Sequence, residues 1–112
     1  MRRDDAIRMR HMLDAAQEAI SFARGPKRED LDSNRMLVLS LVKSIEIIGE
    51  AATKISEDCR NEHPEIPWKY IVTMRNRLIH GYFDINLDIV WKTVTEELPP
   101  LAVDLQKALA GA

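Results

Sequence analysis

Residues 33–56 read SNRMLVLSLVKSIEIIGEAATKIS, and this stretch decides the fold of the chain. Its apolar residues return every three or four positions, which is the spacing that places side chains on one face of an α-helix. They form two adjacent stripes, one of Leu37, Leu41, Ile45 (or Ser44), Ile48, Ala52 and Ile55, the other of Val38, Val42 and Gly49. This face is wider than one partner helix requires. We therefore predict a helix that either is surrounded by neighbours within its own chain or pairs with a second copy of the chain.

The residues before this stretch predict another amphipathic helix, over about residues 3–23. Its apolar positions are Ile7, Met9, Met12, Leu13, Ala16, Ile20 and Ala23. Gly25 and Pro26 should end it, because glycine readily takes the left-handed conformation that follows helices and proline cannot continue one. The candidate N-caps of the next helix are Asp30, Asp32 and Ser33.

The second half of the chain predicts shorter helices separated by prolines and a glycine. Residues 57–67 are interpreted as a loop, since Pro64 and Pro67 break helices. Pro67 also suits the first position of a third helix over about residues 68–79. Gly81 should end that helix.

A fourth helix can begin after Asp84 or Asn86, and it carries Leu87, Val90, Trp91, Val94 and Leu98. Pro99 and Pro100 should interrupt or kink it, because proline lacks the backbone N–H that a helix interior needs. A short last helix then carries Leu101, Leu105, Ala108 and Leu109. The predicted fold class is all-α, a four- to five-helix bundle that occupies residues 1–112 as a single domain.

The bulk composition limits the possible classes of function. The net charge is −2, from 16 basic and 18 acidic residues, so only a local patch could support nucleic-acid binding. The one cysteine, Cys59, excludes a disulfide or a cysteine-based metal cluster within the chain and agrees with a reducing cytoplasm. The charged N-terminus lacks the apolar segment of a signal peptide, and the apolar run at residues 36–42 is too short to span a bilayer. We expect a cytoplasmic protein with no membrane partner.

One segment of this acidic protein is purely basic. Residues 66–83 contain Lys69, Arg75, Arg77 and His80 but no Asp or Glu. Such a segment can hold a phosphate, although charge alone favours an ordinary solvated helix face. Arg75 and His80 are five positions apart, about 140° around a continuous helix, and would share a face only if the helix ended between them. Arg77 and His80 could meet on one face without a bend, so local geometry does not choose between the arginines.

The order of residues in this segment resembles a known family. Arg75, four residues, His80, one residue and Tyr82 are similar to the Arg-x-x-x-x-His-x-Tyr signature of HepT-like proteins, which belong to the HEPN superfamily of small helical RNases. The resemblance extends to IIGEA at residues 47–51, to IPW at 66–68 and to the two prolines at 99–100. It therefore covers nearly the whole chain.

This resemblance implies a HEPN-like fold and a metal-independent endoribonuclease that needs no cofactor and works as a homodimer or higher oligomer. Two signatures, one from each copy, would face a shared cleft. The resemblance also implies RNA as the substrate and a minimal nucleotidyltransferase antitoxin of the MntA type as a partner. In such toxin–antitoxin pairs the antitoxin transfers AMP to the signature tyrosine, here Tyr82, and silences the toxin.

The signature residues agree with the chemistry of RNA cleavage to a 2′,3′-cyclic phosphate end. A histidine that titrates near neutrality can take or give the required proton, which makes His80 the candidate general acid or base. The planar guanidinium of Arg75 would stabilise the charge that develops on the phosphate. Asn76 and Arg77 are candidates for supporting roles, and Tyr82 could stack on a base or simply fill a gap.

Glu46 and Glu50 lie one helical turn apart in the second predicted helix. Either they form a polar edge that faces solvent, or Glu50 reaches a signature arginine and orients it, which is the interpretation we prefer. No His or Cys stands at ligand spacing beside them, so we predict no metal site. His11 and His63 belong to no pattern and are interpreted as surface residues.

Two other functions would use the same residues. The chain could be a non-catalytic helical dimer that binds a nucleotidyltransferase and accepts AMP, or it could be a nucleotide-binding regulator without nuclease activity. A neighbouring gene for a small nucleotidyltransferase would favour the RNase or the AMP acceptor over the regulator. Only an assay of RNA cleavage separates the RNase from the AMP acceptor.

Overall fold

The computed structural model describes residues 1–80 and 85–111, and all side chains in those ranges except those of Ile79 and His80. Within these ranges the chain forms α1 (Arg3–Phe22), α2 (Arg35–Thr53), α3 (Glu57–Glu62), α4 (Trp68–His80), α5 (Leu87–Lys92) and α6 (Leu98–Ala110). A 3-10 turn at Arg28–Asp32 precedes α2, and a π-helical turn at Thr93–Glu97 joins α5 to α6 in one continuous helical run. This part of the chain contains no strand, which confirms the predicted all-α bundle. None of the helices described is both long and apolar enough to cross a membrane.

The helix α2 packs against both α1 and α4, and α6 packs against α1. Every residue of the two predicted stripes of α2 is buried. Leu41, Ile45 and Ile48 are at most 4% exposed within a single chain. The wide apolar face is therefore covered by neighbours in the same chain and no longer argues for a second copy. The exposed large apolar residues of α2 are instead Met36, Leu39 and Ile47.

The N-cap of α2 is Asn34, whose side-chain oxygen accepts a hydrogen bond from the backbone N–H of Leu37 at 3.1 Å. The predicted caps Asp30, Asp32 and Ser33 are wrong, because the chain first turns through the 3-10 segment, where both aspartates make bonds of their own. That turn shortens the helix predicted from residue 33 by two residues at its start.

The helix α1 ends at Phe22, and Gly25 follows with a φ of 93°. The predicted glycine stop is therefore confirmed, since this backbone region favours glycine. Most of the predicted apolar face of α1 is buried, including Met9 and Met12, which are fully covered. Ile20 and Ala23 are partly buried, and Ile7 has 42% of its surface exposed.

The predicted loop at residues 57–67 is wrong in its first half, where α3 forms. Ser56 caps this helix, because its hydroxyl accepts a hydrogen bond from the N–H of Cys59 at 3.2 Å. Asp5, only 3% exposed, accepts bonds from the N–H and the hydroxyl of Ser56 at 2.8 and 2.6 Å, which ties the start of α1 to the start of α3. Cys59 is the one buried residue of α3. The segment therefore lacks the repeated apolar positions that predict a helix.

The C-terminal helical run is not interrupted at Pro99 and Pro100, where the sequence predicts an interruption or a kink. Asn86 caps α5, because its side-chain oxygen accepts a hydrogen bond from the N–H of Ile89 at 3.2 Å. Asn86 is one of the two residues, with Asp84, that the sequence predicted as the start of this helix. Pro99 and Pro100 lie in the first turn of α6, where backbone N–H groups need no helical acceptor. The chain widens into the π-helical turn just before them, so the helix continues through the two prolines.

Candidate active site

The helix α4 lies against α2 and places Arg75 over a glycine. Met74 and Leu78 are buried and hold α4 on the core, while Arg75 keeps 26% of its side chain exposed. A Cβ added at Gly49 would overlap the Cβ and Cγ of Arg75. The aliphatic stem of Arg75 therefore rests directly on the backbone of α2, where only glycine leaves enough space.

Two neighbours hold the guanidinium of Arg75. Its Nη2 donates to the Oε2 of Glu50 at 2.5 Å, and its Nη1 donates to the Oδ1 of Asn76 at 2.9 Å. Its Nε is buried and has no partner among the described residues. The Oε1 of Glu50 lies 3.5 Å from the Nζ of Lys54. Since a guanidinium carries five N–H donors, donors remain on both terminal nitrogens for a phosphate. The orienting role assigned to Glu50 stays a prediction.

The helix α4 extends through His80, so it does not end between positions 75 and 80. These two positions of the backbone are therefore about 140° apart around the α4 axis. The side chain of His80 and all of Tyr82, the predicted AMP acceptor, lie outside the described residues, as do Gly81 and Asp84. Their assigned roles stay predictions.

The structure separates Arg75 of the signature from Arg77. Arg77 is exposed and lies close enough to Tyr70 for its charge to lower the pKa of that phenol. Burial and the hydrogen bond that Tyr70 donates to Glu97 at 2.7 Å act in the opposite direction and raise the pKa of Tyr70 to about 12. Arg75 instead faces Glu50 on α2. The two guanidinium groups therefore have different surroundings, a difference that helical spacing alone did not reveal.

Beside Arg75 lies a cleft of about 330 Å³ between α1, α2 and α4. Its lining is Arg8, His11, Lys43, Glu46, Ile47, Glu50, Ala51, Lys54 and Arg75. Sequence reasoning missed the four contributions of Arg8, His11, Lys43 and Lys54. His11 is exposed, as expected, yet it lines the same cleft as Arg75. The residues of α2 that line the cleft lie at positions 43, 47, 50 and 54, and this helical spacing predicts that they share one face. No sequence pattern indicates that α1 and α4 meet at the same cleft.

Other reactive groups lie outside this cleft. In the described part of the chain, no three His, Cys, Asp or Glu side chains are grouped as a metal ion would require. Burial raises the pKa of the Cys59 thiol, and the nearby charges of Asp5 and Glu62 raise it further, so this thiol is a poor nucleophile at neutral pH. His63 is partly buried and lies 3.3 Å from Glu65. Cys59 and His63 therefore do not contribute to the cleft beside Arg75.

Comparison with known proteins points to one family. A family model described as Ribonuclease HepT-like matches residues 12–108. A protein named as an RNase from Caldanaerobacter subterraneus subsp. tengcongensis is 36% identical over 101 residues, which cover 90% of each chain. One from Thermococcus cleftensis, named "Probable ribonuclease HepT", is 34% identical over 107 residues, covering 96% of this chain and 97% of its own. Another named as an RNase, from Methanocaldococcus jannaschii, is 33% identical over 105 residues, covering 94% and 96%. No solved structure matches the chain.

Proposed function

Because this chain belongs to the HepT-like ribonuclease family and is a ribonuclease of the HEPN type, we propose that it is a metal-independent endoribonuclease in which Arg75 and His80 perform the cleavage. One observation carries the proposal. The guanidinium of Arg75 is fixed by Glu50 and Asn76 at the edge of a basic cleft, in a protein whose net charge is negative. A positioned guanidinium of this kind is suited to phosphate oxygens, whose negative charge grows in the transition state.

The proposed reaction is the attack of a ribose 2′-oxygen on the adjacent phosphorus. The new bond joins that oxygen to phosphorus, and the bond from phosphorus to the 5′-oxygen of the next nucleotide breaks. A base takes the proton of the 2′-hydroxyl, and an acid gives a proton to the departing 5′-oxygen. His80 serves one of these two steps, and Arg75 stabilises the charged phosphate oxygens. The products are a 2′,3′-cyclic phosphate end and a 5′-hydroxyl end.

We propose that two copies of the chain form the working enzyme. Positions 75 and 80 are about 140° apart on one helix, so they do not share a face within one copy. A second copy could bring its own signature to the cleft and supply the missing position. Met36, Leu39 and Ile47 lie exposed on α2, and Ile47 also lines the cleft. An apolar surface beside the cleft is suited to contact with a symmetry-related copy.

Regulation would act through Tyr82, in the cytoplasm, by a nucleotidyltransferase antitoxin of the MntA type. The phenolic oxygen would attack the α-phosphorus of ATP, pyrophosphate would leave, and the phenolic proton would pass to a base. The new phosphodiester would place a negative charge within two residues of His80 in the sequence. It would compete with RNA for the donors of Arg75 through the same kind of charge-assisted hydrogen bond.

The test is to purify the chain alone and as His80→Ala and Tyr82→Phe, and to incubate each with RNA. We expect cleavage and 2′,3′-cyclic phosphate ends from the unmodified chain and from Tyr82→Phe, and none from His80→Ala. The nucleotidyltransferase with ATP should silence the unmodified chain but not Tyr82→Phe. A chain that accepts AMP on Tyr82 and cleaves no RNA would instead be the non-catalytic partner. Nucleotide binding without either property would make it a regulator.

A further inference from the structure

We propose that the cleft wall formed by Arg8 and His11 of α1 is a second phosphate site, which binds the RNA phosphate next to the one that is cleaved. The proposal rests on the proposed ribonuclease function and adds to it residues outside the signature. It predicts that the RNA strand crosses α2, from Arg75 on α4 toward α1, with the side chains of Lys43 and Lys54 flanking its path.

The charge of the cleft supports an anionic ligand. Among the described residues, four basic side chains line it, Arg8, Lys43, Lys54 and Arg75, against the two carboxylates of Glu46 and Glu50. Two positive charges are therefore in excess among these described groups. The whole chain carries a net charge of −2, so this excess is local. Local positive charge against an acidic background attracts phosphate more than it attracts protein surfaces of mixed charge.

The pairing of these groups leaves the α1 wall available. The side chains of Arg8 and His11 make no hydrogen bond or ion pair with any described residue. Lys43 lies 3.9 Å from Glu46 and Lys54 lies 3.5 Å from Glu50, and both lysines are more than half exposed. Ion pairs of this length at the surface contribute little, so a phosphate oxygen can replace the carboxylate partner at small cost. Arg75, by contrast, is already fixed at one end of the cleft.

The shape of the cleft also suits a nucleotide. Its volume of about 330 Å³ falls at the lower end of the range of small-ligand sites. Ile47 and Ala51 give it an apolar floor on α2, between the basic groups of α1 and α4. Such a surface can hold a ribose or base while charged groups at the two ends bind the phosphates before and after it.

The experiment measures the binding of a fluorescent single-stranded RNA decamer to the full chain carrying His80→Ala, which prevents cleavage during the titration. Arg8→Ala is compared with Arg10→Ala, a matched arginine of α1 that lies beside Gln106 and Leu109 of α6, away from the cleft. We expect Arg8→Ala to weaken binding about tenfold, and to reduce the slope of log affinity against log salt by about 0.7, because one phosphate contact is lost. His11→Gln should weaken binding in the same direction. Arg10→Ala should leave both quantities within error.

Equal effects of Arg8→Ala and Arg10→Ala, or no effect of either, would overturn the proposal. Circular dichroism and thermal melts show whether each variant is folded, and Arg8→Lys, which keeps the charge, should retain most of the affinity. The two hypotheses fail separately. If the unmodified chain cleaves RNA and Arg8→Ala binds normally, only the second phosphate site is wrong. If the unmodified chain binds RNA with the Arg8-dependent slope but cleaves none, only the ribonuclease proposal is wrong.

Discussion

The Cα of Gly49 on α2 lies against the Cβ and Cγ of Arg75 on α4, with no side chain between the two helices at this point. The contact fixes where the stem of Arg75 leaves α4, and the next residue of α2, Glu50, binds the guanidinium. Two adjacent residues of one helix therefore contact the arginine, one at its stem and the other at its guanidinium.

Gly49→Ala should reduce RNA cleavage by at least about tenfold, because the new methyl group must displace the stem of Arg75 or push the helices apart. Overpacking of this kind costs about 1–3 kcal/mol of unfolding free energy. Initial cleavage rates and urea unfolding measure the two effects. Gly111→Ala is the control, since a Cβ there meets nothing closer than 3.7 Å. A fully active Gly49→Ala variant would show that the position of Arg75 is unimportant.

Glu50→Gln should lower the rate of cleavage about three- to tenfold while leaving stability nearly unchanged. Half of the Glu50 side chain is exposed, so its ion pair with Arg75 contributes less than about 1 kcal/mol to folding. The neutral amide keeps the shape but loses the charge that directs the guanidinium. Steady-state kinetics compare the variant with Glu57→Gln, an exposed glutamate of α3. Identical kcat/KM values for the two variants would contradict an orienting role.

Arg75→Ala should cost more activity than Arg77→Ala. Arg75 lines the basic cleft and is held by Glu50 and Asn76, whereas Arg77 lies near Tyr70 on another part of α4. We expect a loss of about a hundredfold or more for Arg75→Ala, the scale found when one donor to a transition-state oxyanion is removed. For Arg77→Ala we expect less than about tenfold. Single-turnover cleavage measures both, and a larger loss at Arg77 would reverse the assignment of the catalytic arginine.

RNA cleavage should continue in excess EDTA. In the proposed reaction, His80 performs one of the two proton transfers and Arg75 stabilises the charge on the phosphate, and neither role requires a metal ion. The described residues also contain no group of three metal-ligating side chains. The measurement compares rates in EDTA with rates in added magnesium. Activity that disappears on chelation and returns with magnesium would show that the mechanism is wrong.

Asp5→Ala should lower the free energy of unfolding by about 2 kcal/mol at pH 7, because Ser56 loses two hydrogen bonds to a buried carboxylate. Burial alone would raise the pKa of Asp5, but the bonds from Ser56 and the charges of Arg2 and the N-terminus together hold it below 3.8. A lowered folded-state pKa stabilises the protein above the unfolded value, and this contribution is lost as pH falls through the folded value.

The difference in unfolding free energy between the wild type and Asp5→Ala should therefore shrink when urea titrations are repeated near pH 3. Asp4→Ala removes the same charge from an exposed position in the same turn and should change stability by less than about 0.5 kcal/mol. A difference that is the same at both pH values would show that the ionised carboxylate is not what stabilises this junction.

The sequence predicted those parts of the fold whose signal is local. The stripes of α2 are buried throughout because residues such as Leu41 and Ile48 repeat at the helical period. Asn86 and Gly25 mark helix ends by their own chemistry. The short helix α3 was missed, because Cys59 is its one buried residue and a single position has no period.

The cleft could be predicted only in part. Arg75 could be predicted because it belongs to the signature motif. Glu50 could be predicted because it is a charged residue in an otherwise apolar helix. Arg8 and His11 did not stand out, because their place in the cleft depends on how α1 packs against α2, some forty residues away in the chain. A contact between two distant segments produces no regular residue spacing in either segment, so it cannot be predicted from a spacing pattern.

The π-helical turn at Thr93–Glu97 has a consequence for the comparison of related chains. A π turn holds one residue more than the α turn that could replace it, and helical structure continues on both sides of it. A relative that lacks one residue between positions 93 and 97 could therefore keep Val90 and Leu105 on the core. The same deletion inside α6 would rotate every later residue by about 100° and turn its apolar side toward water. An alignment gap in the last helix is thus expected to fall within these five positions.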